Sequence, residues 1–261
     1  MKPMQSIKIA ALLLLVSLLA GCATSGGPDT TGNLGIDKRD SPAKIYVEMG
    51  IAYMRDGQDA VALKKLKKAI EVDSENAEAY NVIAILYERL GEIGLAEENY
   101  NRAAKLAPRD PYIRNARGSF FCKRDRYDDA EKEFQLALAN PLYPTPWVAL
   151  SNAGLCAERA GKKDLAETYY RKALTANQRY APALFQMAAL SFDTHKDMSA
   201  RAYLERFHGE SQANAASLWL GVRIEQRLGD RNKAVEYKRR LLKEFPDAPE
   251  IQALNQSEKQ Q

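Results

Sequence analysis

The chain has 261 residues, 46% of them hydrophobic and 28% charged, with 15 Gly, 11 Pro, three Cys and two His. That apolar share supports a buried core and excludes disordered, collagen-like and disulfide-stapled classes. The 38 Lys and Arg stand against 34 Asp and Glu with the signs interspersed, a formal charge of +4 that offers no basic stripe for nucleic acid. Two His and no Cys-x-x-Cys leave too few soft ligands for a closed metal site, so no metal is expected.

The amino terminus reads MKPMQSIKIAALLLLVSLLAGC: a positive region at Lys2 and Lys8, then an apolar run from Ile9 to Leu19. The run suits a signal h-region and falls short of the ~20 residues that span a bilayer. It ends in Leu19-Ala20-Gly21-Cys22, which resembles the bacterial lipoprotein box. The resemblance implies that residues 1–21 are a lipoprotein signal peptide and that Cys22 is the lipid attachment site. Its covalent acyl chains would be the only prosthetic group, with no cofactor besides. The alternative is an ordinary secretory signal with Cys22 there by chance. Ala23, where an Asp would retain a lipoprotein in the inner membrane, implies sorting to the outer membrane, periplasmic face. Loss of Lys2 and Lys8 with the signal lowers the formal charge from +4 to +2. Residues 22–42 are rich in Gly, Thr, Ser, Asp and Pro and are expected to form a lipidated flexible tether.

From Ala43 the chain repeats itself at a spacing of 34 residues, the period of the tetratricopeptide repeat. The units are 43–76, 77–110, 111–146, 147–180, 181–214 and 215–248, with a cap or tail at 249–261. Gly50, Tyr53, Ala62, Leu66 and Ala69 mark the first; Ala84, Tyr87, Gly91, Ala96, Tyr100, Ala103 and Pro108 the second. Gly118, Phe121, Ala130, Phe134 and Ala137 mark the third, and Gly154, Gly161, Ala166, Tyr170 and Ala173 the fourth. The fifth keeps Ala188, Ala200 and Leu204 but has Ser191 for the aromatic; the sixth has Gly229, Ala234, Leu241 and Pro246. Small residues at positions 8 and 20 let two helices cross closely, large ones at 11 and 24 fill the space between them, and Pro at 32 ends the second helix. The fold class predicted is all-α, a right-handed superhelical solenoid of about six helix-turn-helix repeats covering 43–248.

The step between the third and fourth units is 36, and the extra residues fall in Asn140-Pro141-Leu142-Tyr143-Pro144-Thr145-Pro146-Trp147. This reads as a stiff corner, a tolerated loop insertion whose sharper alternative is a partner contact by Tyr143 or Trp147. Gly154 to Lys163 lacks the spacing and hydroxyl of a phosphate loop and reads as helix. His195 and His208 have no ligand cluster and read as surface or packing residues. Cys122 and Cys156 fall on first helices of neighbouring units. Small buried packing residues are the expectation, with a disulfide as the alternative.

A solenoid of this kind carries no catalytic constellation, so the protein is expected not to be an enzyme and to have no small-molecule substrate. Positions 2, 5, 9 and 12 of each first helix are expected to face a concave groove: Lys44, Val47, Ile51 and Met54 in the first unit, Glu78, Asn81, Ile85 and Glu88 in the second. Val47, Ile51 and Met54, with Asn81 and Ile85, are the candidate partner-binding residues. Three apolar side chains in the first unit would be a sticky stripe unless a partner or the tether covers it. Val47 and Ile51 also occupy the positions of the Lys and Asn with which chaperone-binding repeats clamp a terminal carboxylate, which disfavours that partner class.

Lipobox, short tether and six repeats together resemble the PilF/PilW family of type IV pilus biogenesis lipoproteins, the pilotins of the pilus secretin. Leu142-Tyr143-Pro144 and Asn214 to Arg223, NAASLWLGVR, resemble that family's stretches in the same places. The resemblance implies an outer-membrane lipoprotein required for pilus biogenesis and twitching motility. Its partners would be the secretin subunit, whose localisation and multimerisation it promotes, and the outer membrane. A repeat scaffold for outer-membrane protein assembly or peptidoglycan-enzyme docking is the alternative.

Overall fold

The computed structural model describes residues 41–258, so the signal, Cys22 and nearly all of the tether lie outside the described residues. Thirteen α-helices and no strand occur among those described. Twelve form consecutive pairs: α1 (Pro42–Arg55) with α2 (Asp59–Val72), α3 (Ala77–Arg89) with α4 (Ile93–Leu106), and α5 (Pro111–Cys122) with α6 (Tyr127–Leu138). Then come α7 (Pro146–Arg159) with α8 (Lys163–Ala176), α9 (Ala181–Asp193) with α10 (Asp197–Glu210), and α11 (Ala215–Leu228) with α12 (Arg231–Glu244). α13 (Glu250–Glu258) follows.

Local chemistry sets the helix starts. Ser41, Asn76, Asp110 and Asn214 each accept a backbone N–H of the first turn. At Asn214 the side chain of Ser217 returns the bond to the cap's own N–H, at 3.0 Å. Each such cap is worth about 1 kcal/mol. Pro42, Pro111 and Pro146 open their helices, where the missing N–H costs nothing. Two expected boundaries therefore move: Pro42 belongs to α1 rather than to the tether, and Pro146 starts the fourth pair rather than ending the third unit.

The turn inside every pair needs one left-handed residue, and it recurs at the same repeat position. Gly57, Gly91, Gly161 and Gly229 fill it in four units, and Asp125 and His195, both at φ 57°, fill it in the others. Within a pair the helices touch at the small residue. A Cβ on Gly154 would lie 2.5 Å from the Tyr170 ring, and one on Gly50 would lie 2.5 Å from Leu66. In the sixth pair the close approach is Gly221 under Tyr237, one position earlier than the register of the other units.

Pairs stack through a core that runs from Ala84 and Tyr100 through Phe120, Phe134, Tyr170 and Leu204 to Ile224. A separate cluster around Val47, Leu66 and Ile83 closes the amino-terminal end. At the other end α13 lays Leu254 against Leu218, Val222 and Leu241. First helices pack against first helices along the whole array, whereas each second helix packs on its own partner and on the next first helix. The closer spacing of the first helices makes theirs the inner, concave layer. Outside, long side chains bridge successive second helices: Arg126 Nη1 to Glu97 at 2.6 Å and Lys196 Nζ to Glu167 at 2.9 Å.

Contrary to the expectation of two unpaired packing cysteines, Cys122 of α5 and Cys156 of α7 form a disulfide, with Cα atoms 5.6 Å apart. The lateral stacking of first helices supplies the geometry that chance spacing would not.

Candidate functional site

The inner face is the candidate site because the first helices of successive pairs pack side by side along it, so that neighbouring units build it together. Its residues do not all lie where helical periodicity alone would put them. Val47 is fully buried in the cluster formed with Ala62, Leu66, Ala79, Val82 and Ile83, so it cannot meet a partner. The reason is lateral: α3 packs beside α1 and covers the flank from which Val47 projects. Ile51 and Met54 are half-buried against the same cluster. The expected three-residue sticky stripe is thus largely the amino-terminal end of the core. Lys44 pairs with Glu48 at 3.6 Å on its own helix. Ile85 is exposed at 39%, and Asn81 beside it is half-buried, with its side-chain oxygen accepting no hydrogen bond.

Further along the inner face, polar side chains of neighbouring first helices meet. Asn152 of α7 donates to the Asn115 side-chain oxygen of α5 at 2.9 Å, tying neighbouring first helices together. Beside that bond lies a cleft of about 230 Å³ lined by Ser119, Cys122, Lys123, Asn152, Leu155 and Arg159. One half of the disulfide, Cys122, and two cations, Lys123 and Arg159, contribute to its lining. Glu88 receives the Tyr100 hydroxyl at 3.2 Å and pairs with Lys123 at 3.0 Å. On α7, which also lines the cleft, Glu158 receives the Tyr170 hydroxyl at 2.9 Å. Burial pushes the Glu158 carboxyl above its ordinary range, opposed by the Tyr170 bond and reinforced by Asp193. Sequence periodicity points to Asn81 and Ile85, and its position 9 in the fourth unit is Leu155. It does not reach Asn152 and Arg159, at positions 6 and 13, whose role depends on which first helices become neighbours.

At the long corner the alternative of a partner contact by Tyr143 or Trp147 finds no support. Tyr143 is buried, its ring edge-on to Tyr112 at 5.2 Å, and Trp147 is half-buried against the central core. Leu142, immediately before Tyr143, is 86% exposed, held out by a turn in which Asn140 accepts its N–H at 2.9 Å. Gly154 lies inside α7 and Gly161 makes the α7–α8 turn, so no phosphate loop forms there. His195 is exposed at its turn, and His208 packs between Phe207 and Tyr237 with Nε2 3.1 Å from Ser217 Oγ. Among the described residues no cluster of three or more His, Cys, Asp or Glu could hold a metal. Nor is any described helix long and apolar enough to cross a membrane.

Comparison with known proteins agrees with this architecture. Family models described as tetratricopeptide repeat match residues 47–111, 82–145, 116–182 and 215–248. The type IV pilus assembly protein PilF of Pseudomonas aeruginosa is 31% identical over 248 residues, covering 95% of this chain and 97% of the relative. The crystal structure of PilW, a widely conserved type IV pilus biogenesis factor, superposes with a TM-score of 0.75 at 30% identity, covering 81% of this chain and 97% of that one. The structure of Pseudomonas aeruginosa PilF gives a TM-score of 0.74 at 29% identity, covering 84% and 99%.

Proposed function

The chain belongs to the tetratricopeptide-repeat proteins and, within them, to the PilF/PilW family of type IV pilus proteins, and from that premise we propose that it is an outer-membrane pilotin of the pilus secretin. The observation that carries the reading is the end-to-end likeness to PilF, which spans nearly the whole of both chains. The protein acts by binding, not by catalysis. Acyl chains on Cys22 hold it at the periplasmic face of the outer membrane. The inner face of the solenoid grips a secretin segment, with Ile85 and Leu155 as apolar contacts and the amides of Asn81 and Asn152 as hydrogen-bonding partners. Confining both proteins to one surface raises their effective concentration and favours ring assembly.

Deletion of the gene should abolish secretin multimers on a non-reducing gel and stop twitching; intact multimers and normal motility would refute the pilotin reading. Cys22→Ala should leave the secretin away from the outer membrane. Ile85→Glu combined with Leu155→Glu should weaken secretin binding by about tenfold or more with helicity unchanged, since two charges would enter an apolar contact.

A further inference from the structure

The outer helix of the first pair carries charge with no counterpart inside the molecule. α2 contains four lysines, Lys64, Lys65, Lys67 and Lys68, and two acids, Asp59 and Glu71. Both acids are engaged: Arg89 of α3 pairs with Asp59, and Lys68 pairs with Glu71 at 2.9 Å. Lys64, Lys65 and Lys67 have no ion-pair or hydrogen-bond partner among the described residues, and Lys64 and Lys67 are exposed. At i, i+3 and i+4, Lys64, Lys67 and Lys68 share one helix face. Apolar side chains flank it: Val61 is 37% and Val72 45% exposed.

This patch sits at a particular end of the molecule. α1 and α2 are antiparallel, so the end of α2 lies beside the start of α1, and Tyr46 in the second turn of α1 packs on the same cluster as Ile70 of α2. Ile45, 53% exposed, stands next to Tyr46. That is where the tether enters. The 19 residue steps from Cys22 to Ser41 reach at most about 65 Å even when fully extended, so a lipid on Cys22 keeps this end of the solenoid near the bilayer.

We propose that the α2 face formed by Lys64, Lys65, Lys67 and Lys68 with Val61 and Val72 docks on an anionic phospholipid surface, orienting the anchored solenoid with its first pair against the membrane. The inference rests on the lipid-anchored reading of Cys22. A single-point anchor leaves orientation free, and a basic face beside it supplies a second contact. Lysines near an anionic surface each favour the docked state by about fivefold, and three without internal partners multiply to the order of a hundredfold at low salt. Docking α2, an outer helix, leaves the inner face open to a partner.

The acylated full-length protein, purified in detergent, is reconstituted into vesicles of phosphatidylcholine alone or with phosphatidylglycerol, and hydrogen exchange of the amides of α2 is followed. Flotation with both vesicle types reports the anchor. Exchange across residues 64–72 should slow about tenfold or more on anionic vesicles only. The slowing should vanish in 0.5 M salt, at about a 4–5 Å Debye length, and in Lys64→Gln/Lys67→Gln/Lys68→Gln. Arg239→Gln/Lys243→Gln on α12, a basic helix at the far end, should leave it intact. Flotation with equal exchange on both vesicle types would overturn the docking face and leave the anchor standing. Loss of the effect in the α12 variant would move the contact to the other end and also overturn it. Failure to float would overturn the anchor and the inference together.

Discussion

The Tyr170 hydroxyl donates to the Glu158 carboxylate across the fourth helix pair at 2.9 Å, as Tyr100 donates to Glu88 in the second at 3.2 Å. The two sites differ in what the next unit brings. Lys123 and Arg124 reach Glu88, while the residue facing Glu158 from the next unit is Asp193. Burial therefore dominates at Glu158 and raises its pKa above the ordinary 4.5. The folded state then holds a proton that the unfolded chain releases, so stability falls as pH rises from about 4.5 through the raised value. Glu158→Gln keeps an acceptor for Tyr170 and removes the charge. Its melting temperature should exceed the parent's at pH 7 and converge with it near pH 4; a constant difference at all pH values would refute the assignment.

Gly154 and Gly94 should respond oppositely to the same substitution. A methyl at Gly154 would enter the Tyr170 ring, whereas one at Gly94 meets nothing within 4 Å. Gly154→Ala should lose about 1–3 kcal/mol by overpacking, and Gly94→Ala should gain about 0.5 kcal/mol by restricting the unfolded chain. Urea midpoints compared at equal slope decide both signs.

His195 holds a left-handed turn at φ 57° that glycine fills in four of the other five units, and its side chain is exposed. A β-carbon strains this conformation by about 1–2 kcal/mol, part of which glycine returns as unfolded-state entropy. His195→Gly should therefore stabilise by about 0.5–1 kcal/mol in thermal melts, while Gly161→Ala should destabilise by a similar amount.

The Cys122–Cys156 bridge closes a loop of 34 residues between α5 and α7. Loop-closure entropy for that length is about 3–4 kcal/mol. Cys122→Ala/Cys156→Ala, which keeps small buried side chains, should lose roughly that amount, and reductant should lower the parent's melting temperature but not the variant's. Equal melts of the parent with and without reductant would show that the bridge contributes nothing.

Repetition makes the architecture legible in the sequence. Small residues at 50, 84, 118, 154 and 188, each followed 16 residues later by Leu66, Tyr100, Phe134, Tyr170 and Leu204, specify helix pairs because they are contacts within one unit, between residues whose separation the chain itself dictates. What tertiary structure alone decided lies between units. Burial of Val47 under α3, the meeting of Cys122 with Cys156, the Asn115–Asn152 bond and the inversion that buries Tyr143 and exposes Leu142 all depend on how far and at what angle one pair sits from the next. Periodicity places a side chain on a face of its own helix. Only the packed neighbour determines whether that face is a groove or a core.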